Sequence, residues 1–403
     1  MSIKFNSEQV SYLITFMMLF AYCSFNVTND VLSSGVTIGM WIFVLFSLLV
    51  MCKKKIFFQL FFTSLVLALL TIIQVLINNQ PLYTCLTYTF SVIVSAIFVA
   101  VFDLKSFLKS YTSVMYFLAL ISIMGLGICL LIPPIGRVFT ITLPHGTYTN
   151  WVIFVKNINS YRNCGMFWEP GAFQTFLNLA LLFEVSKIEY NKKHIVVFVI
   201  AILSTFSTTG YIALVLIGML VLLKTDIPDK KAKRTLVGIG FFVVLFLLTT
   251  SNVTSSVFGK IQKFFEYQTY RESNWSNSSA SIRYYAIVKP IEAFLNHPLF
   301  GLGYYGLNDY TYSYTLNQNT CTFVNWFAMY GILYGIIMLF YTYKFTKAFS
   351  NKFIERILIL VFLFTITMSE NYVNSPITFW IAFYGIVFFD NTSMKANRII
   401  VET

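Results

Sequence analysis

Residues 194–223 read HIVVFVIAILSTFSTTGYIALVLIGMLVLL, an apolar run of 30 residues broken only at Ser207-Thr208-Thr209-Gly210. A helix that crosses a bilayer needs about 20 residues at about 1.5 Å rise each. The run is therefore too long for one crossing and short for two. Its polar break, with a helix-weakening glycine, divides it into halves. The flanks decide the count. Lys187, Lys192 and Lys193 precede the run, and Lys224, Lys230, Lys231, Lys233 and Arg234 follow it. Basic residues are retained on the cytoplasmic side of a membrane, so both flanks share one side and the run crosses an even number of times. Two short helices that meet near the outer surface satisfy this.

Working outward, apolar stretches of roughly spanning length recur at Val10–Phe25, Ser34–Met51, Ile56–Ile77, Leu82–Phe102, Tyr111–Ile132, Phe167–Val185, Leu236–Thr250, Cys321–Tyr343, Ile357–Met368 and Pro376–Phe389. With the N-terminus in the cytoplasm and every segment crossing, about 12 spans result and both termini lie inside. Twenty of the 28 Lys and Arg residues then fall on the inner side. Composition agrees: 57% of the 403 residues are hydrophobic and 11% charged, against roughly 25% charged in soluble domains. The expected fold is a single all-α polytopic membrane domain over residues 1–403. The net charge of +12 reads as a topogenic signal, which argues against nucleic acid as a partner. No small-x-small cleavage site follows the first apolar stretch, so it is expected to stay as an anchor, and bulky Tyr22 argues against lipid attachment at Cys23. The six cysteines form no CxxC pair and no zinc spacing. Cys164 and Cys321 both fall near the outer face, where a disulfide is the alternative to isolated apolar cysteines.

Two outer loops stand out. Residues 133–165 follow the Pro133-Pro134 helix stop and carry Arg137, His145, Lys156 and Arg162. Residues 251–320 are long enough to fold. There Val257, Ile261, Phe264, Phe265 and Gln268 stand at the spacing of an amphipathic helix on the membrane surface. Ser281 is placed to cap a second helix through Leu295, kinked by Pro290, before a tight turn at 297–303 and a Tyr-rich stretch to Tyr314. Ionisable residues sit at outer ends of spans, Glu169 at the start of the sixth and Glu370 after the eleventh. Ion-coupled carriers place charge near the midplane. This distribution favours an enzyme acting on a lipid-borne substrate over a pump, with a flippase or transporter as the alternative. Gly301-x-Gly303-x-x-Gly306 matches a dinucleotide-binding pattern, but that fingerprint needs a preceding strand, a following helix and a cytoplasmic nucleotide pool. A tight backbone turn is the better reading.

Arg162-x6-Glu169-Pro170-Gly171 at the opening of a span, the Ser204–Gly210 break, and Arg283 followed by Asn296-His297-Pro298-Leu299-Phe300-Gly301-Leu302-Gly303 form an ordered set. In order, topology and loop size it resembles the O-antigen polymerase/ligase superfamily, and within it the Wzy-type polymerases. The resemblance covers roughly residues 161–335. It implies a GT-C-like membrane glycosyltransferase in a bacterial inner membrane, with its active site facing the periplasm. The implied partners are undecaprenyl-diphosphate-linked oligosaccharides and a separate chain-length regulator protein. Two departures matter. Ligases of the superfamily carry His-(Asn/Ser/Gln)-x9-Gly entering the span after the large loop; counted back from Gly331, that position is Thr320, followed by Cys321. An Arg often follows the serine of the helix-break segment, and here Thr208 follows Ser207. The first departure favours polymerase over ligase. The second removes a phosphate contact.

The reaction so implied is attack of an acceptor hydroxyl on an anomeric carbon, with a lipid diphosphate leaving. A developing diphosphate needs cations, and arginine binds phosphate oxygens in pairs while staying charged. Arg162 and Arg283 are the leading candidates, with Arg271 and Lys289 behind them. Glu169 is the candidate base or orienting acceptor for the hydroxyl; the alternative is a carboxylate that complements its helix dipole and pairs Arg162. His297 is a second candidate base, although His-Pro before glycine also forms turns. Tyr304 and Tyr305, with Tyr310, Tyr312 and Tyr314, suit stacking on sugar rings or an interfacial aromatic belt. Glu370, near Asn371 and Asn374, suits an acceptor groove or a polar turn. No metal or other cofactor is expected, because neither outer aspartate, Asp30 or Asp309, belongs to a paired-carboxylate motif.

Overall fold

The computed structural model describes residues 7–52, 58–144, 146–187, 189–224, 279–315 and 319–390. The expected span Leu236–Thr250, the amphipathic helix at 257–268, His145 and Arg271 lie outside them. Every other apolar stretch named above is a helix. In chain order these are α1 (Ser7–Cys23), the single turn α2 (Phe25–Thr28), α3 (Ser34–Met51), α4 (Phe58–Ile77), α5 (Leu82–Val101) and α6 (Leu104–Leu131). After the turn α7 (Pro133–Gly136) and strands β1 (Thr140–Leu143), β2 (Gly146–Asn150) and β3 (Val155–Asn157) come α8 (Pro170–Val185), α9 (Lys192–Ser204) and α10 (Thr208–Lys224). The C-terminal part holds α11 (Ser279–Asn296), α12 (Gly303–Thr315), α13 (Thr322–Phe345), α14 (Phe353–Thr367) and α15 (Pro376–Asp390). Among the described residues five helices, α3 to α6 and α13 with its short 3-10 extension, are long and apolar enough to cross a membrane. The architecture is that of a mostly helical, polytopic membrane protein.

The 30-residue run divides as its flanks require. Helix α9 ends at Ser204 and α10 begins at Thr208, and Phe206 turns the chain through a left-handed backbone at φ 49°. The 133–165 loop differs from the all-α expectation: it holds an antiparallel sheet in the order β1-β2-β3, with Thr140 opposite Thr149 and Tyr148 opposite Asn157. Strands this short carry too little alternation to show in a hydropathy pattern. Two smaller differences lie downstream. Helix α11 starts at Ser279, ahead of the expected cap at Ser281, and the Tyr-rich stretch is the helix α12.

The single domain expected over residues 1–403 is described here as two compact units. One takes in the described residues of Met1–Lys55 and Ile97–Leu214; the other takes in those of Ile56–Ala96 and Val215–Asn397. Helix α8 is the centre of the first. Every residue from Gly171 to Glu184 is buried, the pattern of a helix enclosed on all sides by protein. Phe183 meets Phe107 and Tyr111, and Phe167 stacks on Phe176 with ring centroids 4.6 Å apart. The sheet is tied to α2 through Asn26, whose Nδ2 donates to the Val152 carbonyl at 2.9 Å and whose Oδ1 accepts from Asn150 Nδ2 at 2.6 Å.

In the second unit α13 packs along α15, and Gly385 lets the Tyr341 carbonyl approach where a Cβ would stand. Helix α13 is broken at Gly331, with φ 83° and ψ −179°, a conformation essentially confined to glycine. The 298–302 segment fills the break. Ile332 N donates to the Pro298 carbonyl at 2.8 Å, and Leu302 N donates to the Ala328 carbonyl at 2.9 Å. A Cβ on Gly331 would collide with the Leu299 carbonyl oxygen. Gly331→Ala is therefore expected to destabilise the protein by at least about 1–3 kcal/mol, read as a lower thermal unfolding midpoint in detergent. Gly218→Ala is the control, because nothing lies within 4 Å of the added methyl and alanine favours the helix over glycine, so its midpoint should equal or exceed that of wild type.

Candidate active site

In the first unit the Arg162–Gly171 segment meets the Ser204–Gly210 break through a continuous set of hydrogen bonds. Arg162 Nε donates to the Thr205 carbonyl at 3.0 Å, which places a cation at the C-terminal end of α9, where the helix dipole favours one. Asn163 does more of the joining. Its backbone N–H donates to the Ser204 carbonyl at 3.0 Å. Its Nδ2 donates to Ser122 Oγ on α6 and to Ser204 Oγ on α9, both at 3.0 Å, and its Oδ1 accepts from Gly165 N at 3.0 Å. On the other side of the break, Gln174 Nε2 donates to Thr209 Oγ1 at 3.3 Å, and Asn178 Nδ2 reaches the Gly210 carbonyl at 3.4 Å. A Cβ on Gly210 would stand 3.0 Å from Gln174 Cβ. The glycine of the break thus lets α10 approach α8.

Glu169 is the N-cap residue of α8, with extended backbone, and its side chain does not cap the helix. Among the described residues no ion pair joins it to Arg162, so the alternative in which the two neutralise each other is not the arrangement found. Both charges bear on the Cys164 thiol. Burial pushes the Cys164 thiol up to about 12; the Arg162 guanidinium opposes this, the Glu169 carboxylate adds to it, and Lys156 opposes it. The half-buried Arg162 spends its Nε on the Thr205 carbonyl. The first turn of α10 supplies backbone N–H groups that have no helical acceptor. Backbone N–H groups of this kind at a helix N-terminus are suited to an anion.

The second unit holds the remaining candidates. Arg283 and Lys289 both lie on α11. Lys289 Nζ is 2.7 Å from Glu292 Oε2, so it is an ion-paired cation. His297 is exposed, and its backbone closes the end of α11 by donating to the Ala293 carbonyl at 3.0 Å and accepting from Gly301 N at 3.0 Å. Gly301 and Gly303 both have positive φ, 63° and 70°, in keeping with the tight turn read from the sequence. The carbonyls of this turn are met by the α4–α5 connection: Asn78 Nδ2 donates to Gly301 at 3.3 Å and Gln80 Nε2 donates to Leu302 at 2.7 Å. Tyr304 is exposed on α12, and the Tyr305 hydroxyl is paired with that of Tyr83. The carbonyl of half-buried Glu370 accepts from Thr322 Oγ1 at 3.1 Å, which ties the α14–α15 turn to the start of α13. All six cysteines, Cys164 and Cys321 included, are free thiols.

Asn163, Gln174 and Asn178 carry no charge, so residue type alone does not mark them in the sequence. Gln174 and Asn178, one helical turn apart in a span, are the signal in the sequence, since buried amides in membrane helices are there to hydrogen-bond. Glu184, which the sequence does not single out, is 1% exposed at the opposite end of α8 from Glu169, with Lys187 Nζ at 2.7 Å and His194 Nδ1 at 3.2 Å.

Residues 194–326, which take in the helix break, Arg283 and the 297–303 turn, match the family described as O-antigen ligase. The chain carries a domain of the O-antigen polymerase/ligase superfamily. No curated protein matches it.

Asn163→Ala leaves the Gly165 amide and the α6–α9 junction without their shared partner. The expected cost is about 1–3 kcal/mol, measured as a fall in thermal stability in detergent. Asn163→Ser should recover part of it.

Proposed function

We propose that this protein is a polysaccharide polymerase of the O-antigen type, acting at the outer face of a bacterial inner membrane. It transfers a glycan from undecaprenyl diphosphate to a hydroxyl of an incoming lipid-linked repeat unit. The observation that carries the reading is the residue at the entry to α13. Gly331, the reference glycine of the ligase pattern, is the break in the helix, and the position where that pattern has histidine is Thr320. A threonine hydroxyl cannot act as the general base that an imidazole provides near neutral pH.

In this reading the acceptor oxygen attacks the anomeric carbon as the bond from that carbon to the diphosphate oxygen breaks. The departing diphosphate takes the bonding electrons, and a cation stabilises the charge it gains; the candidates are Arg283, with Lys289 and Arg271 behind it, and, as the alternative in the other unit, Arg162. Glu169 accepts or orients the hydroxyl proton, and His297 is the alternative acceptor. Tyr304 and Tyr305 border the sugar units, and Glu370 orients the acceptor. The second unit also contains an apolar cleft of about 570 Å³ lined by residues that include Ile291, Phe294, Phe323, Phe327 and Phe364. Its chemistry suits a polyisoprenoid chain.

One observation favours a second reading, ligation of finished glycan onto a lipid A acceptor: the matched family is described as O-antigen ligase. Chain extension separates the two. Purified protein in nanodiscs, given its lipid-linked repeat unit, is expected to produce a ladder on a gel without lipid A. Arg283→Ala should lose the ladder by at least about tenfold in rate, in line with removal of one charge-stabilising contact, while Glu169→Gln should slow it with the fold intact. Product that forms only when lipid A is supplied would establish the ligase. Movement of labelled lipid-linked sugar across vesicles without any bond formation would establish a transporter.

A further inference from the structure

A stripe of exposed apolar side chains runs past the end of the membrane-spanning part of α6. Ile128, the pair Leu131 and Ile132, Ile135 and Val138 recur at intervals of about one helical turn and are all exposed, Leu131 at 84%. Backbone hydrogen bonds carry the pitch beyond the helix stop: Ile132 N donates to Ile128 O, Ile135 N to Ile132 O and Val138 N to Ile135 O. Phe139 follows, 76% exposed with φ 57°, and Val152 at the sheet tip is 57% exposed with φ 67°. A β-branched or bulky residue in the left-handed region is a genuine outlier, so the fold holds Val152 and Phe139 exposed against a backbone cost. They are adjacent, because Asn150 N donates to the Phe139 carbonyl at 2.9 Å and Trp151 Nε1 to the Val138 carbonyl at 3.3 Å.

Helix length places this stripe. α6 has 28 residues, about 42 Å at ~1.5 Å per residue, with Lys105 and Lys109 in its first turns. A hydrocarbon core of about 30 Å that starts beyond Lys109 ends near Leu131, so residues 132–139 emerge at the level of the lipid headgroups. Charge agrees with that position. No acidic residue occurs between Asp103 and Glu169, while Arg137, Lys156 and Arg162 all lie in the outer part of that interval. Arg137 is exposed within the apolar stripe.

We propose that the 132–139 connection and the sheet tip at Val152 are a membrane-docking surface that sits on the outer leaflet. Ile132, Ile135, Val138 and Phe139 enter the boundary between headgroups and acyl chains, and Arg137 contacts a lipid phosphate. The occupant is phospholipid because the stripe continues the lipid-facing side of a spanning helix and carries only positive charge. The sheet is thereby held down at the membrane surface, together with the Arg162 segment that follows it. This inference depends on the membrane-spanning reading of α6 and not on the identity of the reaction.

The test is nitroxide accessibility in nanodiscs of phosphatidylethanolamine and phosphatidylglycerol, with Cys52→Ser as background. Spin labels at Phe139→Cys and Ile135→Cys are compared with one at Asn159→Cys, in the polar turn after β3. Collision with oxygen should exceed collision with a water-soluble nickel chelate several-fold at positions 135 and 139, and the ratio should invert at 159. Chelate-dominated collisions at 135 and 139 would overturn the proposal. Shielding from both reagents would also overturn it, in favour of a protein partner or a second copy of the chain on this face. Ile135→Cys keeps the test decisive if the Phe139 variant folds poorly.

Discussion

Backbone groups that lose their helical partner inside a membrane protein must find another within the protein, because lipid offers none. That constraint organises both units of this chain. In one, α9 and α10 part at Phe206, and the freed carbonyls of Ser204 and Thr205 are met by the Asn163 amide and the Arg162 guanidinium. In the other, α13 parts at Gly331, and the 298–302 turn enters the gap with two backbone hydrogen bonds. The Arg162 segment and the 297–303 turn, both singled out for chemistry in the sequence, are also the fillers of helix breaks. Conformation and reactivity are thus requirements on the same short segments.

This coupling explains which parts of the fold were legible. Spans such as Ser34–Met51 appear at their expected bounds because bilayer thickness sets the length of an apolar run and little else competes. The division of residues 194–223 was legible because charge on two flanks fixes the parity of crossings. The sheet was not: its strands are three to five residues long, and its attachment depends on Asn26, far away in sequence. Helix α12 was hidden for a related reason. Its tyrosines read equally well as loop or helix until Thr311 and Asn308 are seen to share Asn319 as a hydrogen-bond partner.

The candidate site divides along the same line. Arg162 and Glu169 were found by residue type and by position at the outer end of a span. Their relation was not legible, since the partner of Arg162 is a backbone carbonyl at Thr205 and no side-chain pattern announces a carbonyl. Lys289 shows the opposite failure. A scan for cations counts it as available, while the structure pairs it with Glu292 one helical turn on. Neutral amides were the largest omission: Asn163, Gln174 and Asn178 carry no charge to attract notice, yet they hold α6, α8, α9 and α10 to the segment that bears Arg162.

Helix α8 carries a consequence for how the protein is made. It has 16 residues and buries Gln174, Thr175, Asn178 and Glu184 among its phenylalanines and leucines. A segment so short, with a carboxylate and two amides, gains little by leaving the translocation channel for lipid alone, since polar and charged residues oppose insertion there. Its favourable surroundings are protein: α6 and α9 on its flanks, with the Gly210 turn against Gln174. Two of those partners are synthesised after it. Insertion of α8 is therefore expected to be favoured by the arrival of α9 and the first turns of α10, which supply the partners that lipid lacks.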